Sequence, residues 1–363
     1  MSIKRKKRVL VGMSGGVDSS VTAALLKKRG YEVIGITMQM LPKETEHQSA
    51  CCNIGSINDA KRVASKLNIP HYTINIRDTF QKNVISNFVN TYLSGSTPNP
   101  CVECNRHIKF DELLKKAEEL DADYIATGHY SKITYSPKTK QYRLCKAKDD
   151  HKDQSYFLYM MSSNQLSKTL FPLGKYHKSE VRKMAEQFNL LNANKPDSQE
   201  ICFVTSKSYT TFIDKYLSPS NRKPGLIKNL NGQVLGKHTG IHQFTVGQRK
   251  GLGIDSNFPL YVLKINAQNH DVVVGDKEDL PVLKFSISKF SLIDQNEDVL
   301  HKSFDLKIRY QMTPIKATIT AICSDKATVS LVDKTPLIAP GQSAVFYEKD
   351  RIIGGGIIEK PPL

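Results

Sequence analysis

A chain of 363 residues with 52 Lys and Arg against 35 Asp and Glu, a formal net charge of +17, can bury a full core and is long enough for two or three domains. No apolar window approaches a membrane span, and seven irregularly spaced cysteines do not make a secreted disulfide framework, so a cytoplasmic protein without a leader is expected. The positive surplus suits a polyanionic partner, whose phosphates release counterions on contact, or reflects lysines on solvated faces of a Lys-, Asn- and Ile-rich chain.

The basic run Lys4 to Arg8 reads as a solvated end. It is followed by an apolar strand, Val9-Leu10-Val11, and then by Ser14-Gly15-Gly16-Val17-Asp18-Ser19-Ser20. Val17, Val21, Ala24 and Leu25 recur at helical spacing as far as Gly30, giving strand, tight turn and helix. Such a turn suits phosphate: glycines let the backbone approach an anion, the first helical N–H groups lack partners, and the helix dipole is positive there. The loop lacks the lysine of the G-x-x-x-x-G-K-[ST] motif. It resembles instead the S-G-G-x-D-S loop of the ATP-pyrophosphatase superfamily, whose members split ATP between the α and β phosphates and transfer AMP to an oxygen.

Further along, Glu32 to Met38 reads as a second strand, Ile57 to Leu67 as a helix, Tyr72 to Ile76 as a third strand, and Phe80 to Tyr92 as a helix. A Pro-rich loop leads to the helical stripe Phe110 to Leu120 and the strand Tyr124 to Thr127, ending at Gly128-His129-Tyr130. This is an α/β pattern, a doubly wound parallel sheet. Ligands in such sheets sit beyond the carboxyl ends of the strands, which makes Met38 and Gly128 candidates to border a nucleotide; on pattern alone each also passes as core or turn. After a helical segment near 179 to 189 and the loop Lys195 to Phe203, the composition shifts to short Gly- and Pro-punctuated strands from about 222. From about 280, Ile315, Ala317, Ile319 and Ala321 alternate with Lys316, Thr318 and Thr320, which predicts a small antiparallel barrel or sandwich. The expected domains are 1 to 208, 209 to 278 and 279 to 363.

The loop Thr97-Pro98-Asn99-Pro100-Cys101-Val102-Glu103-Cys104-Asn105 sets two cysteines three apart after two stiffening prolines. Three readings compete. A zinc or iron-sulfur site would recruit Cys51, Cys52 or Cys202, yet no second C-x-x-C has the usual spacing. A thioredoxin-like pair does not suit the surrounding sheet pattern. The third reading joins one loop cysteine with the distant Cys202 at the mouth of the nucleotide crevice. Cys145 and Cys323 read as packed or surface thiols.

The ordered set S-G-G-V-D-S-S, T-P-N-P-x-x-x-C-N, A-T-G-H-Y, K-D-Q-S-Y-F-L, D-S-x-x-I-C-F, T-x-G-Q-R-K-G-L-G, R-Y and P-G-Q-S-A-V-F-Y spans nearly the whole chain and resembles the bacterial tRNA-specific 2-thiouridylase family. That resemblance implies a PP-loop ATPase domain, a small central tRNA-contacting domain and a C-terminal β-barrel. It implies exchange of the 2-oxygen of the wobble uridine (position 34) for sulfur in tRNAs for Lys, Glu and Gln. Gly12, Met13, Ser14, Gly15, Gly16, Val17, Asp18, Ser19, Met38 and Gly128 match ATP-contacting positions. Cys104 matches the nucleophile and Cys202 the cysteine that carries the incoming persulfide. Asn99, Pro100 and Cys101 fall where the loop touches the target base, and His129, Lys152, Asp153, Gln154, Arg309, Tyr310 and Gln342 fall at tRNA contacts.

The resemblance further implies ATP with Mg2+, a persulfide donor protein, and an external reductant for a Cys104–Cys202 disulfide. Asp18 is expected to orient the loop or help hold magnesium, or simply to cap the helix. Many family members carry a carboxylate where this chain has Cys101. A thiol or water then takes that role, or Cys101 joins an iron-sulfur cluster with Cys51 and Cys52. Two other functions fit parts of the pattern: a PP-loop synthetase that amidates a small molecule, for which no glutaminase segment is visible, and a non-catalytic RNA-binding protein on an old nucleotide fold.

Overall fold

The computed structural model describes residues 5–41, 54–196, 201–204, 208–218, 223–279, 282–335 and 338–360. Cys51, Cys52 and the stretch from Asp197 to Glu200 lie outside the described residues. The chain forms two compact units: 1–84 with 101–205 and 350–352, and 85–100 with 206–349 and 353–363.

In the first unit the strands β1 (Arg8–Gly12), β2 (Glu32–Gln39), β3 (His71–Asn75) and β4 (Tyr124–Ala126) are followed by a hairpin, β5 (Lys132–Ser136) and β6 (Gln141–Cys145), and by β7 (Thr169–Leu170). The sheet runs β3-β2-β1-β4-β7. Its pairs are parallel, with Leu10 opposite Ile34 and Ile125. β1 is central and its Val9, Leu10 and Val11 are fully buried, as a strand covered by helices on both faces must be. The helix Val17–Lys28 buries Val21, Ala23, Leu25 and Leu26 in the same core as Val9, Val33, Val63 and Val181. It ends at Gly30, whose φ of +87° suits a residue without Cβ.

In the second unit β8 (Gly225–Lys228), β9 (Val234–His238), β10 (Tyr261–Ile265) and β11 (Val272–Gly275) form a sheet in the order β10-β11-β8-β9 around Ile227, Val262 and Val274. The strands β12 (Val282–Leu292), β13 (Ser303–Lys307), β14 (Ile315–Cys323), β15 (Lys326–Thr335), β16 (Ser343–Glu348) and β17 (Arg351–Ile358) follow. They run β12-β15-β14-β13-β16-β17, and β17 pairs back onto β12 to close a barrel. Closure removes both sheet edges and encloses Ile287, Phe304, Leu306, Ile319, Val329 and Phe346.

The expected alternation along β14 fails at its far end. Ala317 and Ile319 are fully buried, but a bulge between Ile319 and Ala321 shifts the register, and Ala321 is exposed.

Candidate nucleotide and thiol site

The phosphate loop lies between β1 and the helix Val17–Lys28, where the sequence pattern puts it. Gly16 is the N-cap and offers no side chain, so the first helical N–H groups are left for an anion. Ser19 Oγ accepts the Ser14 N–H at 3.2 Å and donates to the Gly16 carbonyl at 3.1 Å, which curls the loop over the helix end. Gly15 has φ of +73°, and a Cβ there would stand 2.2 Å from the Ser56 carbonyl oxygen. Gly128 lies against the other side of the loop: a Cβ would meet Ser19 N at 2.8 Å and the Asp18 carbonyl carbon at 2.9 Å. The two glycines therefore let three backbone segments crowd together, and Gly12 to Ser19 and Gly128 form one cradle. Met13 N donates to the Ile36 carbonyl, Thr37 Oγ1 donates to the Met13 carbonyl, and Met38 is buried near the end of β2 beside them. An adenine nucleotide fits this arrangement: unpartnered helical N–H groups for phosphate and an apolar strand end for the base.

Asp18 is held by a partner the sequence pattern does not flag. Lys178 Nζ donates to Oδ1 at 2.6 Å and Oδ2 at 2.7 Å, and the Tyr130 hydroxyl donates to Oδ1 at 2.9 Å. Lys178 is nearly buried and its Nζ also lies over the Tyr130 ring at 5.7 Å. With an ammonium across both oxygens, Asp18 does not fit a magnesium ligand in this arrangement. Asp149 Oδ2 accepts the Lys178 N–H at 2.8 Å and so fixes the start of the helix Lys178–Gln187. Burial works to raise the Asp149 pKa, and hydrogen bonds from the Lys178, His151 and Lys152 backbones outweigh it, so the carboxyl sits below its ordinary value.

Asn192 is a second residue that pattern reading misses. Its Nδ2 donates to the Gly15 carbonyl at 3.0 Å and to Ser20 Oγ at 2.8 Å, while its buried Oδ1 has no partner among the described residues. Lys195 Nζ pairs with Asp59 at 2.8 Å and reaches the Gly15 carbonyl at 3.4 Å.

The thiols are on the same unit. Pro100–Cys104 is a helical turn that runs without a break into a π-helical stretch, Asn105–Phe110, and then the helix Asp111–Glu119. The widened turn begins at the residue after Cys104, a placement typical of functional sites. Cys104 is buried and Cys101 is exposed; Cys202 is half-buried. Asn105 is buried, donates to the Phe157 carbonyl at 3.0 Å, and leaves its Oδ1 without a partner among the described residues. Next to Cys202, Phe203 packs edge-on against Phe80 with ring centroids 5.7 Å apart. Among the described residues, no group of three His, Cys, Asp or Glu is placed to hold a metal ion.

The residues matched to tRNA contacts separate into two groups. In the first unit His129 is buried between Phe110 and Phe171, with its Nδ1 at 2.7 Å from Thr127 Oγ1 and its Nε2 at 3.4 Å from Lys109 Nζ. A lysine only donates, so Nε2 accepts and the proton sits on Nδ1. Burial first, and Lys109 second, push its pKa well down and keep the ring neutral. Asp153 is buried and accepts from Ala147 N and from the Ser155 hydroxyl. Gln154 bonds to the Tyr130 backbone, and Lys152 is half-buried. In the second unit Arg309 is exposed, Tyr310 and Asn99 are half-buried, Pro100 is buried, and Gln342 donates to the carbonyls of Thr97 and Pro98. A cavity of about 880 Å³ in that unit, lined by Gly95, Lys264, Lys284, Phe285 and Lys360 among others, contains none of the matched residues. No helix among the described residues is long and apolar enough to cross a membrane.

Residues 7–206 match the family model described as tRNA methyl transferase HUP domain, residues 210–276 that of the tRNA methyl transferase PRC-barrel domain, and residues 282–358 that of the aminomethyltransferase beta-barrel domain. The tRNA-specific 2-thiouridylase MnmA of Halothermothrix orenii is 47% identical over 356 residues, 97% of this chain and 99% of the relative. Relatives of the same name from Clostridium perfringens (strain ATCC 13124) and Clostridioides difficile (strain 630) are 46% and 45% identical over 359 residues, covering 98% of this chain and 99% and 98% of theirs. With the α/β sheet, the middle sheet and the closed barrel all present in that order, the chain belongs to the tRNA-specific 2-thiouridylase family.

Proposed function

We propose that this chain replaces the 2-oxygen of the wobble uridine of tRNAs for Lys, Glu and Gln with sulfur, at the expense of ATP. One observation carries the reading: a helix N-terminus built to receive phosphate shares a compact unit with Cys104 and Cys202 in a chain of this family. A ring carbonyl oxygen is a poor leaving group. Its attack on the α phosphorus of ATP releases pyrophosphate and converts it to a bound AMP, which leaves readily.

The backbone N–H groups of the first helical turn and the Ser14 hydroxyl hold the phosphates, the Ser19 hydroxyl shapes the loop by donating to the Gly16 carbonyl, and Lys178 keeps Asp18 neutralised beside them. Sulfur arrives from a donor protein as a persulfide on Cys202. Its terminal sulfur attacks C2 with departure of AMP, and the Cys104 thiolate then attacks Cys202 Sγ to free the 2-thio group. Alternatively Cys104 attacks first and releases the sulfur as hydrosulfide, which adds to C2. Either way two electrons leave the thiols, a Cys104–Cys202 disulfide forms, and an external reductant restores it. Magnesium would enter with the nucleotide, and no step here relies on Asp18 as its ligand.

The test is reconstitution with ATP, a persulfide donor, reductant and unmodified tRNA, followed by mass analysis of the nucleosides. Exchange of oxygen for sulfur is expected. A methyl adduct would favour the chemistry named in the family-model descriptions. Cys104→Ser and Cys202→Ser should each abolish thiolation while tRNA binding stays; unchanged thiolation sinks the reading. Iron and labile sulfide measured on the same anaerobic preparation decide the cluster: activity without iron leaves Cys101, Cys51 and Cys52 as thiols.

A further inference from the structure

The β5–β6 hairpin of the first unit concentrates positive charge that its own contacts do not neutralise. From Ser131 to Lys148 the chain has six Lys and Arg and no Asp or Glu, so about a twentieth of the sequence supplies six of the net charge of +17. Lys148 pairs with Glu180, whereas Lys132, Lys138, Lys140 and Arg143 have no acidic partner among the described residues. The turn at the tip places two of these cations in solvent. Ser136 Oγ accepts the Thr139 N–H at 3.4 Å, Pro137, Lys138, Thr139 and Lys140 are all exposed, and Lys140 has φ of +53°. That left-handed conformation favours Gly or Asn, so a lysine stands there at a conformational cost.

Behind the turn, Tyr135 and Tyr142 face each other across the two strands with ring centroids 5.1 Å apart, and Tyr135 is 52% exposed. Ile133 and Leu144 form the next pair on the same face toward the root, where Leu144 is fully buried. The root is thereby anchored, and an aromatic surface beside two cations is left in solvent. Both strands also join residues matched to tRNA contacts. β5 starts just after His129, with Ser131 Oγ bonded to the Cys145 carbonyl at 2.8 Å, and past β6 the Ala147 N–H donates to Asp153 at 2.9 Å.

An RNA loop complements such a surface, because its phosphates take up the charge and an unpaired base stacks on an open ring. We infer that the β5–β6 hairpin is an RNA-binding arm: Lys138 and Lys140 neutralise tRNA phosphates, and Tyr135, backed by Tyr142, stacks on an unpaired base of the same tRNA. Lys132 and Arg143 lie on the opposite face of the hairpin and add long-range attraction. This rests on the reading of tRNA as the substrate.

The experiment measures tRNA affinity of the full chain against salt concentration, without ATP, together with thermal unfolding. Lys138→Gln combined with Lys140→Gly should weaken binding about tenfold at about 0.1 M salt and reduce the slope of log affinity against log salt by about one to two. Lys140→Gly alone relieves the left-handed residue, so it should unfold at the same or a higher temperature while binding tRNA more weakly; a purely structural role gives the opposite sign. Tyr135→Ala should weaken binding about fivefold or more with little change in salt slope, and Tyr135→Phe, which keeps the ring, should bind within about twofold of the parent. Lysine variants with the parent's affinity and slope overturn the inference, as does a Tyr135→Phe loss equal to that of Tyr135→Ala. Full tRNA affinity with slowed sulfur delivery from the persulfide donor also overturns it and assigns the arm to the donor protein. Failure of the underlying reading shows separately, as a parent protein that neither binds nor thiolates tRNA.

Discussion

Gln154 and Tyr130 are joined by a reciprocal pair of hydrogen bonds: Gln154 N–H donates to the Tyr130 carbonyl at 2.8 Å, and Gln154 Oε1 accepts the Tyr130 N–H at 3.0 Å. The other end of Tyr130 donates to Asp18 at the phosphate loop. A turn matched to RNA contacts and a loop built for phosphate thus share one buried tyrosine.

Gln154→Ala should therefore destabilise the free protein, because it leaves a buried backbone N–H without an acceptor. About 1–3 kcal/mol is expected, and Gln154→Glu, which keeps the acceptor, should lose less. Thermal unfolding without RNA or nucleotide checks this; an unchanged midpoint would mean that Gln154 acts on RNA alone.

Lys178→Met removes the partner of a carboxylate whose side chain is 31% exposed, while the lysine's own is 11% exposed. Partial solvation of Asp18 limits the cost to about 1–3 kcal/mol, less than for a fully enclosed pair. The expected kinetic signature is a rise in the KM for ATP of about tenfold, partly rescued by Lys178→Arg. Tyr130→Phe removes one hydrogen bond to the same carboxylate, and a smaller change of about 1 kcal/mol is expected.

Gly128→Ala sets a methyl group against the backbone of Ser19 and Asp18, which cannot swing aside as a side chain would. ATP binding measured by calorimetry should weaken about tenfold or more, with an overpacking cost of about 1–3 kcal/mol. Retained affinity would show that the cradle yields.

Phe203→Ala empties a buried site against Phe80, next to Cys202. A loss of about 3–4 kcal/mol is expected from cavity formation, and Phe203→Leu should cost less. If the ring also holds Cys202 in place, alkylation of Cys202 should accelerate in Phe203→Ala at temperatures well below unfolding.

His129, His71 and His238 share a pKa lowered first of all by burial. Each binds its proton more readily in the unfolded chain, near the ordinary value of 6.5, than in the folded one. Stability is then full above that value and is lost as the pH falls through it toward the folded pKa values. Unfolding midpoints should drop between about pH 7 and about pH 5, and His129→Asn should flatten the slope.

The sheet, the phosphate loop and the barrel could be read from sequence because each follows a local rule: strand, Gly-Gly turn and helical stripe for Val9 to Leu25, and period-two alternation for Ile315 to Ile319. The partners of the loop follow no such rule. Lys178 and Asn192 lie 160 and 177 residues from the Asp18 and Gly15 groups they bond, and locally each is an ordinary polar residue at a helix start or in a turn. Tyr130 and His129 carry no mark that tells an enclosed ring from one offered to a base; only the packing of Asp18 or of Phe110 and Phe171 around them does so. The bulge near Thr320 is likewise a property of the paired strands, invisible in the alternation of either one.

β17 belongs to both units: Arg351 pairs with Cys145 of the hairpin in the first, and from Ile353 onward the strand closes the barrel of the second. During synthesis the unit that holds the phosphate loop is therefore still missing a strand residue when the middle sheet and nearly all of the barrel have already left the ribosome. At roughly 5–20 residues per second this is a wait of about ten seconds or more, during which the exposed edge of β6 is open to wrong pairing. Arg351 is thus a late-arriving fastener for the first unit, and truncation after residue 279 should leave the edge of β6 unpaired and that unit prone to aggregation.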